Sequence, residues 1–260
     1  MAWNDMIFQG ECLFKNKYSI SIRFTSLLNN HSWILTNIYG PCENLQRLDF
    51  IDWFKNINMP DDTDWLIVGG FNYIRYPHNR NRGVGNIQNM MHFNEAINNL
   101  ALIEIPLKDR SFTWSNMQDA PLLEKLDWVF TSEHWTNSFP ATTVRTLAKT
   151  TSNHTPCCIS IGTSIPKSRI FRFENYWLKH QDFKKVVADI WNQPIQESDS
   201  AKILTAKFKR LRKGLKIWSK SISNIAATIK ASNEVIHMWD FFEEFRPLGE
   251  IENNGRNILK

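Results

Sequence analysis

The 260-residue sequence has few cysteines, no long apolar run and no leader-like start. Its four cysteines contain no Cys-x-x-Cys pair, which argues against a zinc site. Cys157 and Cys158 are neighbours on a predicted strand, so they face opposite sides, and reduced thiols are the expected state. No apolar stretch reaches the ~18 residues that a membrane span needs, and no basic segment followed by an apolar one marks a secretory signal. We therefore expect an intracellular protein without a membrane span.

The charge is basic, and its distribution is uneven. The formal net charge is +5 and the isoelectric point is about 9.0, which fits a polyanionic partner. Between Lys202 and Lys220 there are eight Lys or Arg residues and no Asp or Glu. Hydrophobic residues make up 42% of the chain, enough for a sizeable core in one large domain with a helical extension.

Apolar patterns predict mixed strands and helices up to about residue 165. Residues 20–24 alternate apolar and polar, as a half-buried strand does. Residues 65–68 form the continuous apolar run of a strand buried on both faces. Apolar residues recur at helical spacing from Met90 to Leu100. Further strands are predicted at residues 33–39, 112–114, 126–130 and 157–161, a further helix at residues 43–56, and a loop at residues 76–86.

From about residue 166 helical patterns replace the strands. Residues 177–191 predict a helix, and residues 204–229 predict a longer one with a heptad seam. Such a seam usually packs against its own domain or a partner helix, so self-association through it is one expectation. Residues 249–260 are polar and are expected to fray. The seam consists of Leu204, Phe208, Leu211, Leu215, Trp218, Ile222, Ile225 and Ile229.

Five short motifs follow one another in a fixed order. They are Tyr-Gly-Pro at 39–41, Gly-Gly-Phe-Asn at 69–72, Phe-Thr-Trp-Ser-Asn at 112–116, Lys-Leu-Asp-Trp at 125–128 and Ser-Asn-His-Thr-Pro at 152–156. Each is weak alone, but in this order they resemble the endonuclease/exonuclease/phosphatase superfamily, in particular the endonuclease region of plant LINE-type retrotransposons without long terminal repeats. The resemblance covers roughly residues 15–162, and residues 171–178 resemble the segment that follows the nuclease in such elements.

This resemblance implies an α/β fold, the four-layer α-β-β-α sandwich of DNase I-like proteins, for residues 1–165. Residues 166–260 would then be the helical region that precedes a reverse transcriptase in complete elements. An asparagine and a metal-binding glutamate on the family's first strands have no counterpart here, so we expect the N-terminal strands to be missing. A functional protein of this kind would be nuclear, with DNA or RNA as its partner.

The chemistry that the resemblance implies is phosphodiester hydrolysis. A divalent cation, Mg²⁺ in this family, neutralises charge that develops on the phosphoryl oxygens, and hard oxygen ligands hold it. A general base takes the proton from the attacking water. A histidine oriented by a carboxylate assists the transfer.

Four family positions are retained. Tyr39 matches the tyrosine near the scissile phosphate, Asn72 the asparagine that positions phosphate and water, and Asp127 the aspartate that orients His154. Taken singly, His154 would be a hydrogen-bonded histidine, Asp127 a capping or ion-paired residue, and Asn72 a turn residue. The order of the motifs favours descent from a catalytic set.

Two family carboxylates are replaced. Gly70 stands where the family has the aspartate that acts as base, and a glycine has no side chain to accept a proton. Asn153 replaces the aspartate beside the histidine, a type of change that costs ~10⁴-fold in rate in a serine protease. We therefore predict a Mg²⁺-dependent endonuclease by ancestry, with impaired catalysis. A nearby carboxylate, Asp64 or Glu124, could replace a lost one, and the sequence leaves this open.

The basic stretch at residues 202–220 offers a second function, in which the protein binds nucleic acid without catalysis. Binding through such a stretch weakens steeply with salt. The alternative interpretation is an ordinary solvated helix face. The candidate nucleic-acid-binding residues are Lys207, Lys209, Arg210, Arg212, Lys213 and Lys216.

Overall fold

The computed structural model describes residues 1–58, 62–162, 171, 173–222 and 225–260. The chain divides into two compact units, one made of Met1–Ile165 with Asn233–Lys260 and the other of Pro166–Ser232. The expected boundary at residues 165–166 falls outside the described residues, as does residue 172 of the segment that resembles the post-nuclease region. The division into a nuclease part and a linker stays a prediction.

Eleven strands and seven α-helices occur in the described residues. The strands are β1 Phe8–Lys15, β2 Ser19–Ser26, β3 Ser32–Tyr39, β4 Trp65–Gly70, β5 Ile103–Glu104, β6 Leu107–Lys108, β7 Trp114–Ser115, β8 Leu123–Glu124, β9 Asp127–Thr131, β10 Thr143–Thr146 and β11 Cys157–Ser160. The helices are α1 Arg47–Lys55, α2 Ile87–Asn99, α3 Glu133–Ser138, α4 Phe183–Trp191, α5 Ser200–Ile222, α6 Ile225–Phe242 and α7 Glu250–Leu259. Short 3-10 helices lie at Asn44–Gln46, Pro77–Asn79 and Asn175–Lys179. The mixed α/β class expected from the sequence is confirmed.

The first unit is built on a six-stranded sheet in the order β1-β2-β3-β4-β9-β5. Strands β3 and β4 are parallel, and the other neighbours in this sheet are antiparallel. A three-stranded sheet has the order β11-β10-β6, and β7 pairs with β8. The crossover from β3 to β4 runs through α1, as parallel strands require.

Strand β4 lies at the centre of two hydrophobic cores. Ile67 points into a core that includes Phe50, Phe71 and Phe93, on the side of α1 and α2. Leu66 points to the opposite side, into a core that also holds Val144 of the smaller sheet. The prediction that β4 is buried on both faces is therefore confirmed. Helices, the larger sheet and the smaller sheet form successive layers around these cores.

The C-terminal residues differ from their expected structure. The prediction that residues 249–260 fray is wrong, since α7 forms there. The backbone N–H of Gly249 donates to Oε2 of Glu252 at 2.8 Å, which caps the first turn. Arg256 is buried, and its Nη1 donates to Oε1 of Glu243 at 2.9 Å. The capping contact is local, with its residues three apart in sequence, whereas the contact of Arg256 with Glu243 joins α7 to another segment and needs the folded chain.

Other boundaries changed as well. Strand β1 was not predicted, and only Trp114 of the strand expected at residues 112–114 lies in a strand, β7. The single long helix expected at residues 204–229 consists of α5 and α6, and residues 223–224 between them lie outside the described part. None of the described helices is long and apolar enough to cross a membrane.

The second unit packs the seam of α5 against its own neighbours. The ring of Trp218 lies 5.7 Å from that of Phe183, and the ring of Phe208 lies 5.3 Å from that of Trp191. A Cβ at Gly214 would come within 2.4 Å of the Ile190 side chain, so glycine permits the close approach of α4 and α5. Side chains 222 and 225 of the expected seam are not described. Self-association through the seam stays a prediction.

Candidate active site

Three of the motif residues lie side by side at the end of the larger sheet. The register of β3 with β4 pairs Tyr39 with Gly70, and the register of β4 with β9 pairs Gly70 with Asp127. Motifs that are far apart in sequence therefore form one row across three adjacent strands.

The turns that follow β3 and β4 contact each other closely. A Cβ at Gly69, whose φ is +138°, would lie 2.0 Å from the Ile38 carbonyl oxygen, and a Cβ at Gly40 would lie 2.0 Å from the Phe71 carbonyl oxygen. Asn72 has a φ of +58°, a left-handed conformation that asparagine tolerates better than most residues. Its Nδ2 donates to the Gly40 carbonyl oxygen at 2.6 Å. Asn72 is thus buried and fixed between the two turns.

His154 is hydrogen-bonded to Asp127, as the resemblance implies. Nδ1 of His154 lies 2.8 Å from Oδ2 of Asp127. This hydrogen bond raises the pKa of His154, partly opposed by burial, which disfavours the charged ring. The backbone N–H of His154 donates to the Ser152 hydroxyl at 3.0 Å, which orders the preceding turn. The arrangement leaves Nε2 of the imidazole for a ligand.

The Phe-Thr-Trp-Ser-Asn signature connects the aspartate to the histidine. The buried hydroxyl of Thr113 accepts the N–H groups of Asp127 and of the preceding residue, each at 3.0 Å. The carbonyl oxygen of Thr113 accepts the N–H of Thr155 at 2.7 Å, and the N–H of Ser115 donates to the Asn153 carbonyl oxygen at 3.0 Å. This motif therefore positions the pair.

Charged side chains at the end of α6 and just after it hold the segments behind His154. Arg110, which is buried, donates from Nη1 to the Thr155 hydroxyl at 3.2 Å and from Nε to Glu244 at 3.0 Å. Asp240, fully buried, accepts the backbone N–H of Lys149 at 3.1 Å through Oδ2. Burial lowers the pKa of Lys149, although Asp240 and other acids oppose this effect. The segment Asn233–Lys260 thus supports the histidine loop from within the same unit.

Tyr39, Asn72, Asn153 and His154 line one cleft of about 770 Å³. Asp127 lines a smaller cavity of about 350 Å³ on the other side of His154. Tyr39 is 67% exposed. Its pKa is raised chiefly by the neighbouring Cys42 thiol, then by burial and by Asp127. The structure therefore brings the four retained family positions together.

Gly70 and Asn153, the two positions at which a family carboxylate is replaced, lie beside these retained residues. A Cβ at Gly70 would be 3.2 Å from Oδ1 of Asp127 and 4.0 Å from the Tyr39 ring, so a side chain there would enter the row of motif residues. Asn153 lines the cleft beside His154 with a neutral carboxamide. Neither position supplies a carboxylate.

The side chains of the cleft do not fit the Mg²⁺ site that the family implies. No group of three or more His, Cys, Asp or Glu among the described residues is placed to hold a metal ion. Glu124 lines the cleft but lies 3.4 Å from Nε of Arg80, and Asp127 is engaged by His154. Hard cations need several oxygen ligands, which these two engaged carboxylates do not provide.

Of the two carboxylates that the sequence leaves open, only Glu124 lines the cleft. Asp64 precedes the other end of β4, where its two carboxylate oxygens lie 2.7 Å from Nε2 of His31 and 2.7 Å from Nδ1 of His134. The contact with His31 meets the distance but not the alignment of a hydrogen bond. Asp64 therefore belongs to a separate cluster, in which its carboxylate is buried beneath two partly exposed histidines.

Sequence reasoning missed three residues of this region: Arg47, Arg80 and Thr113. Arg47 opens α1 just after the Tyr-Gly-Pro turn, and Arg80 follows the Pro77–Asn79 turn. Thr113 lies inside a recognised motif, yet its role depends on backbone groups distant in sequence. The concentration of basic residues in the loop at 76–86 was the one available signal for Arg80.

The candidate nucleic-acid-binding residues lie on α5 in the second unit and fall into two groups. Lys209, Arg212, Lys213 and Lys216 are exposed. Lys207 lies with Nζ 5.1 Å from the Trp191 ring centre, and Arg210 donates to the Gln193 carbonyl oxygen at 2.9 Å. Lys207 and Arg210 therefore also stabilise the second unit.

Comparisons with known proteins give distant relatives. No protein-family model matches the chain. It is 25% identical over 170 residues to the transposon TX1 uncharacterized 149 kDa protein of Xenopus laevis, covering 63% of this chain and 13% of that protein. The chain therefore spans only a small part of this relative's length.

Several solved structures are similar, and two of them serve as examples. The endonuclease domain of TRAS1, a telomere-specific non-LTR retrotransposon, has a TM-score of 0.49 at 10% identity, over 61% of this chain and 70% of that chain. An endonuclease/exonuclease/phosphatase family protein from Bacteroides thetaiotaomicron has a TM-score of 0.38 at 12% identity, over 60% of this chain and 66% of that chain. The expected similarity to transposon proteins is confirmed by the sequence comparison, whereas membership of the endonuclease/exonuclease/phosphatase superfamily stays a prediction. The narrower assignment to plant LINE-type elements stays a prediction.

Proposed function

We propose that the first unit is a degenerate endonuclease/exonuclease/phosphatase domain, descended from a retrotransposon endonuclease, whose phosphodiester hydrolysis is impaired. The observation that carries the proposal is the His154–Asp127 pair at 2.8 Å beside Gly70. The pair that would assist phosphoryl transfer is retained, while the strand position next to it has no side chain.

Among the retained groups, Nε2 of His154 is the one placed to contact a phosphate, because Nδ2 of Asn72 is engaged by the Gly40 carbonyl oxygen and Cys42 Sγ. Asn72 and His154 line the same cleft as Tyr39. What is missing is a group that removes a proton from water, since general-base catalysis contributes ~10²–10⁴-fold in rate. Losses within one catalytic unit are not additive, so no simple product of factors predicts the residual rate.

Nicking of supercoiled plasmid by the purified chain in Mg²⁺ tests this proposal. We expect no nicking above that of His154→Ala, with and without EDTA. Nicking that disappears both in EDTA and in His154→Ala would show a working active site and contradict impairment. Circular dichroism of both proteins confirms that they are equally folded.

A second function, nucleic-acid binding by α5, is supported by the geometry of that helix. Lys202, Lys209, Lys213, Lys216 and Lys220 follow at intervals of 7, 4, 3 and 4 residues, which places them on one helix face. All five are exposed, and residues 202–220 contain no acidic residue. An uninterrupted row of cations suits a phosphate backbone.

The salt dependence of oligonucleotide binding tests this second function. Changing Lys209, Lys213 and Lys216 to Gln should reduce the slope of log K against log salt by about 0.9 per lost duplex contact. Lys184→Gln with Lys185→Gln on α4 is the control, since both side chains are exposed in the same unit. Equal slopes in the triple variant and the wild type would remove α5 as the binding surface.

Further parts of the proposal come from the resemblance. They are the division into a nuclease part at residues 1–165 and a pre-polymerase linker at residues 166–260, the ancestral use of Mg²⁺, DNA or RNA as partner, and a nuclear location. Immunofluorescence of the tagged full chain tests the location, with cytoplasmic retention as the contrary result.

A further inference from the structure

The cleft beside His154 contains more positive than negative charge. Arg47 and Arg80 line it, against Glu124 as its one carboxylate in the described lining. His154 also lines it, and its pKa is raised by Asp127. A cleft whose cations outnumber its acids attracts anions.

Both arginines have hydrogen-bonding capacity that the protein leaves unused. Nε of Arg47 is buried and has no hydrogen-bond partner among the described residues, while its guanidinium lies 5.0 Å from the Tyr73 ring centre. Nε of Arg80 is buried too, and the contact with Glu124 at 3.4 Å is not aligned as a hydrogen bond. The Nε atoms themselves are inaccessible, so a phosphate in the cleft would contact the outer Nη groups of these two arginines, which line it.

The N-terminus of α2 adds to the same field. Gly85, Asn86 and Asn89 line the cleft, and α2 begins at Ile87 and runs for 13 residues. The first turn of a helix carries partial positive charge and favours anionic groups. Arginines from two other segments and this helix end therefore face one cleft.

The replaced carboxylates change what this cleft needs. In the proposed ancestor, acids at positions 70 and 153 would have required a cation between themselves and a phosphate. Gly70 and Asn153 are neutral, so a phosphate meets Arg47 and Arg80 without that repulsion. The neutral residues at positions 70 and 153 therefore explain both why the cleft fits Mg²⁺ poorly and why it fits an anion well.

We propose that this cleft binds the phosphodiester backbone of a nucleic acid directly, without a divalent cation, through Arg47 and Arg80. The planar guanidinium groups suit phosphate oxygens because they donate two parallel hydrogen bonds. The exposed ring of Tyr39 offers a surface on which a flanking base stacks. This proposal concerns the site of the proposed function and depends on its ancestry, but it does not require cleavage.

The test is NMR titration of the full chain with a thymidine tetranucleotide in EDTA. The side-chain signals of His154, Asn72 and Asn153 report on the cleft and separate it from binding at α5. We expect saturable shifts in EDTA, and at least a tenfold loss of affinity in Arg47→Met and in Arg80→Met. Arg23→Met is the matched control, since Arg23 is exposed and paired with Glu11 at 3.0 Å.

A gain-of-affinity variant guards against loss through misfolding. Glu124→Gln removes the negative charge near Arg80, so the tetranucleotide should bind several-fold more tightly. Shifts that occur only with Mg²⁺, or arginine variants with unchanged affinity, would overturn the proposal. Inorganic phosphate should bind the same atoms more weakly, and equal affinity for it would assign the cleft to small anions instead. Because cleavage is not measured, these outcomes stay distinct from those of the nicking assay.

Discussion

His154 and Asp127 are 27 residues apart in sequence, yet Nδ1 of the one lies 2.8 Å from Oδ2 of the other. Thr113 contributes to this arrangement from both sides, because its hydroxyl accepts the Asp127 N–H and its carbonyl oxygen accepts the Thr155 N–H. The pair is therefore supported by backbone contacts and does not depend on the replaced carboxylates. The geometry of the pair therefore needs no carboxylate at position 70 or 153.

The first prediction concerns the pKa of His154. Asp127→Asn removes the charged acceptor, so the pKa of His154 should fall from its raised value toward or below about 6.5. An NMR titration of the imidazole signals measures this directly. Asp64→Asn, which alters the cluster with His31 and His134, should leave the His154 titration unchanged. A His154 pKa that does not respond to Asp127→Asn would contradict the hydrogen bond.

The second prediction is the pH dependence that follows. The folded-state pKa of His154 is raised above its unfolded value, so the pair's contribution to stability is fully present below about pH 6.5. It is lost as the pH rises through the folded-state pKa. Denaturant unfolding at several pH values gives the free energy of unfolding of wild type and of Asp127→Asn. The difference between the two should decrease as the pH rises through the folded-state pKa of His154. A difference that widens at high pH would reverse the sign of the linkage.

The third prediction compares two neighbouring glycines. Gly69→Ala should cost on the order of 3 kcal/mol or more, because φ is +138° and the new Cβ would lie 2.0 Å from the Ile38 carbonyl oxygen. Gly70→Ala should cost much less, since its Cβ meets only the Asp127 side chain at 3.2 Å. Thermal unfolding of both variants measures the two losses of stability. Similar losses of stability in the two variants would mean that Gly69 does not have this backbone geometry.

The fourth prediction is restoration of a cation site. Gly70→Asp would add a carboxylate against Oδ1 of Asp127, and Asn153→Asp would add one beside His154. The double variant should gain a rise in Tm with added Mg²⁺ that the wild type lacks, since binding to the folded state stabilises it. Gly70→Asn with Asn153 unchanged is the neutral control of similar size. A Mg²⁺ effect of equal size in control and double variant would argue against site-specific binding.

The fifth prediction concerns the buried charges behind the histidine loop. Asp240→Ala should destabilise the first unit by about 3–5 kcal/mol, because it leaves three buried cations, Arg110, Lys149 and Arg256, with only the two carboxylates of Glu243 and Glu244. Glu252→Gln removes the charge that pairs with the half-exposed Arg246 but keeps an oxygen that can accept the Gly249 N–H, so it should leave Tm close to that of wild type. Calorimetry of the two variants provides the comparison. Equal effects would show that α6 is not bound to the loop as described.

Several elements could be predicted because their signals are local. The apolar run of β4 and the helical spacing of apolar residues in α2 are each contained in a short stretch of sequence. Both elements form where expected. Helix α7 was missed although its capping residues Gly249 and Glu252 are only three apart, and the burial of Arg256 against Glu243 and Asp240 is visible only after folding. The same reason hides Arg47 and Arg80, whose shared cleft is visible only after folding.

The sequence by itself determined the order of the motifs and the residue types at each position, including the glycine at 70 and the asparagine at 153. The order of the motifs is enough to establish the resemblance, and the residue types are enough to show that two of the family's carboxylates are replaced. Neither conclusion needs a three-dimensional structure. Only the tertiary structure decided that Tyr39, Gly70 and Asp127 form one row, that Glu124 lines the cleft while Asp64 does not, and that Arg47 and Arg80 line this same cleft. The physical reason is strand register and loop packing, which are set by hydrogen bonds and apolar contacts between segments far apart in the chain.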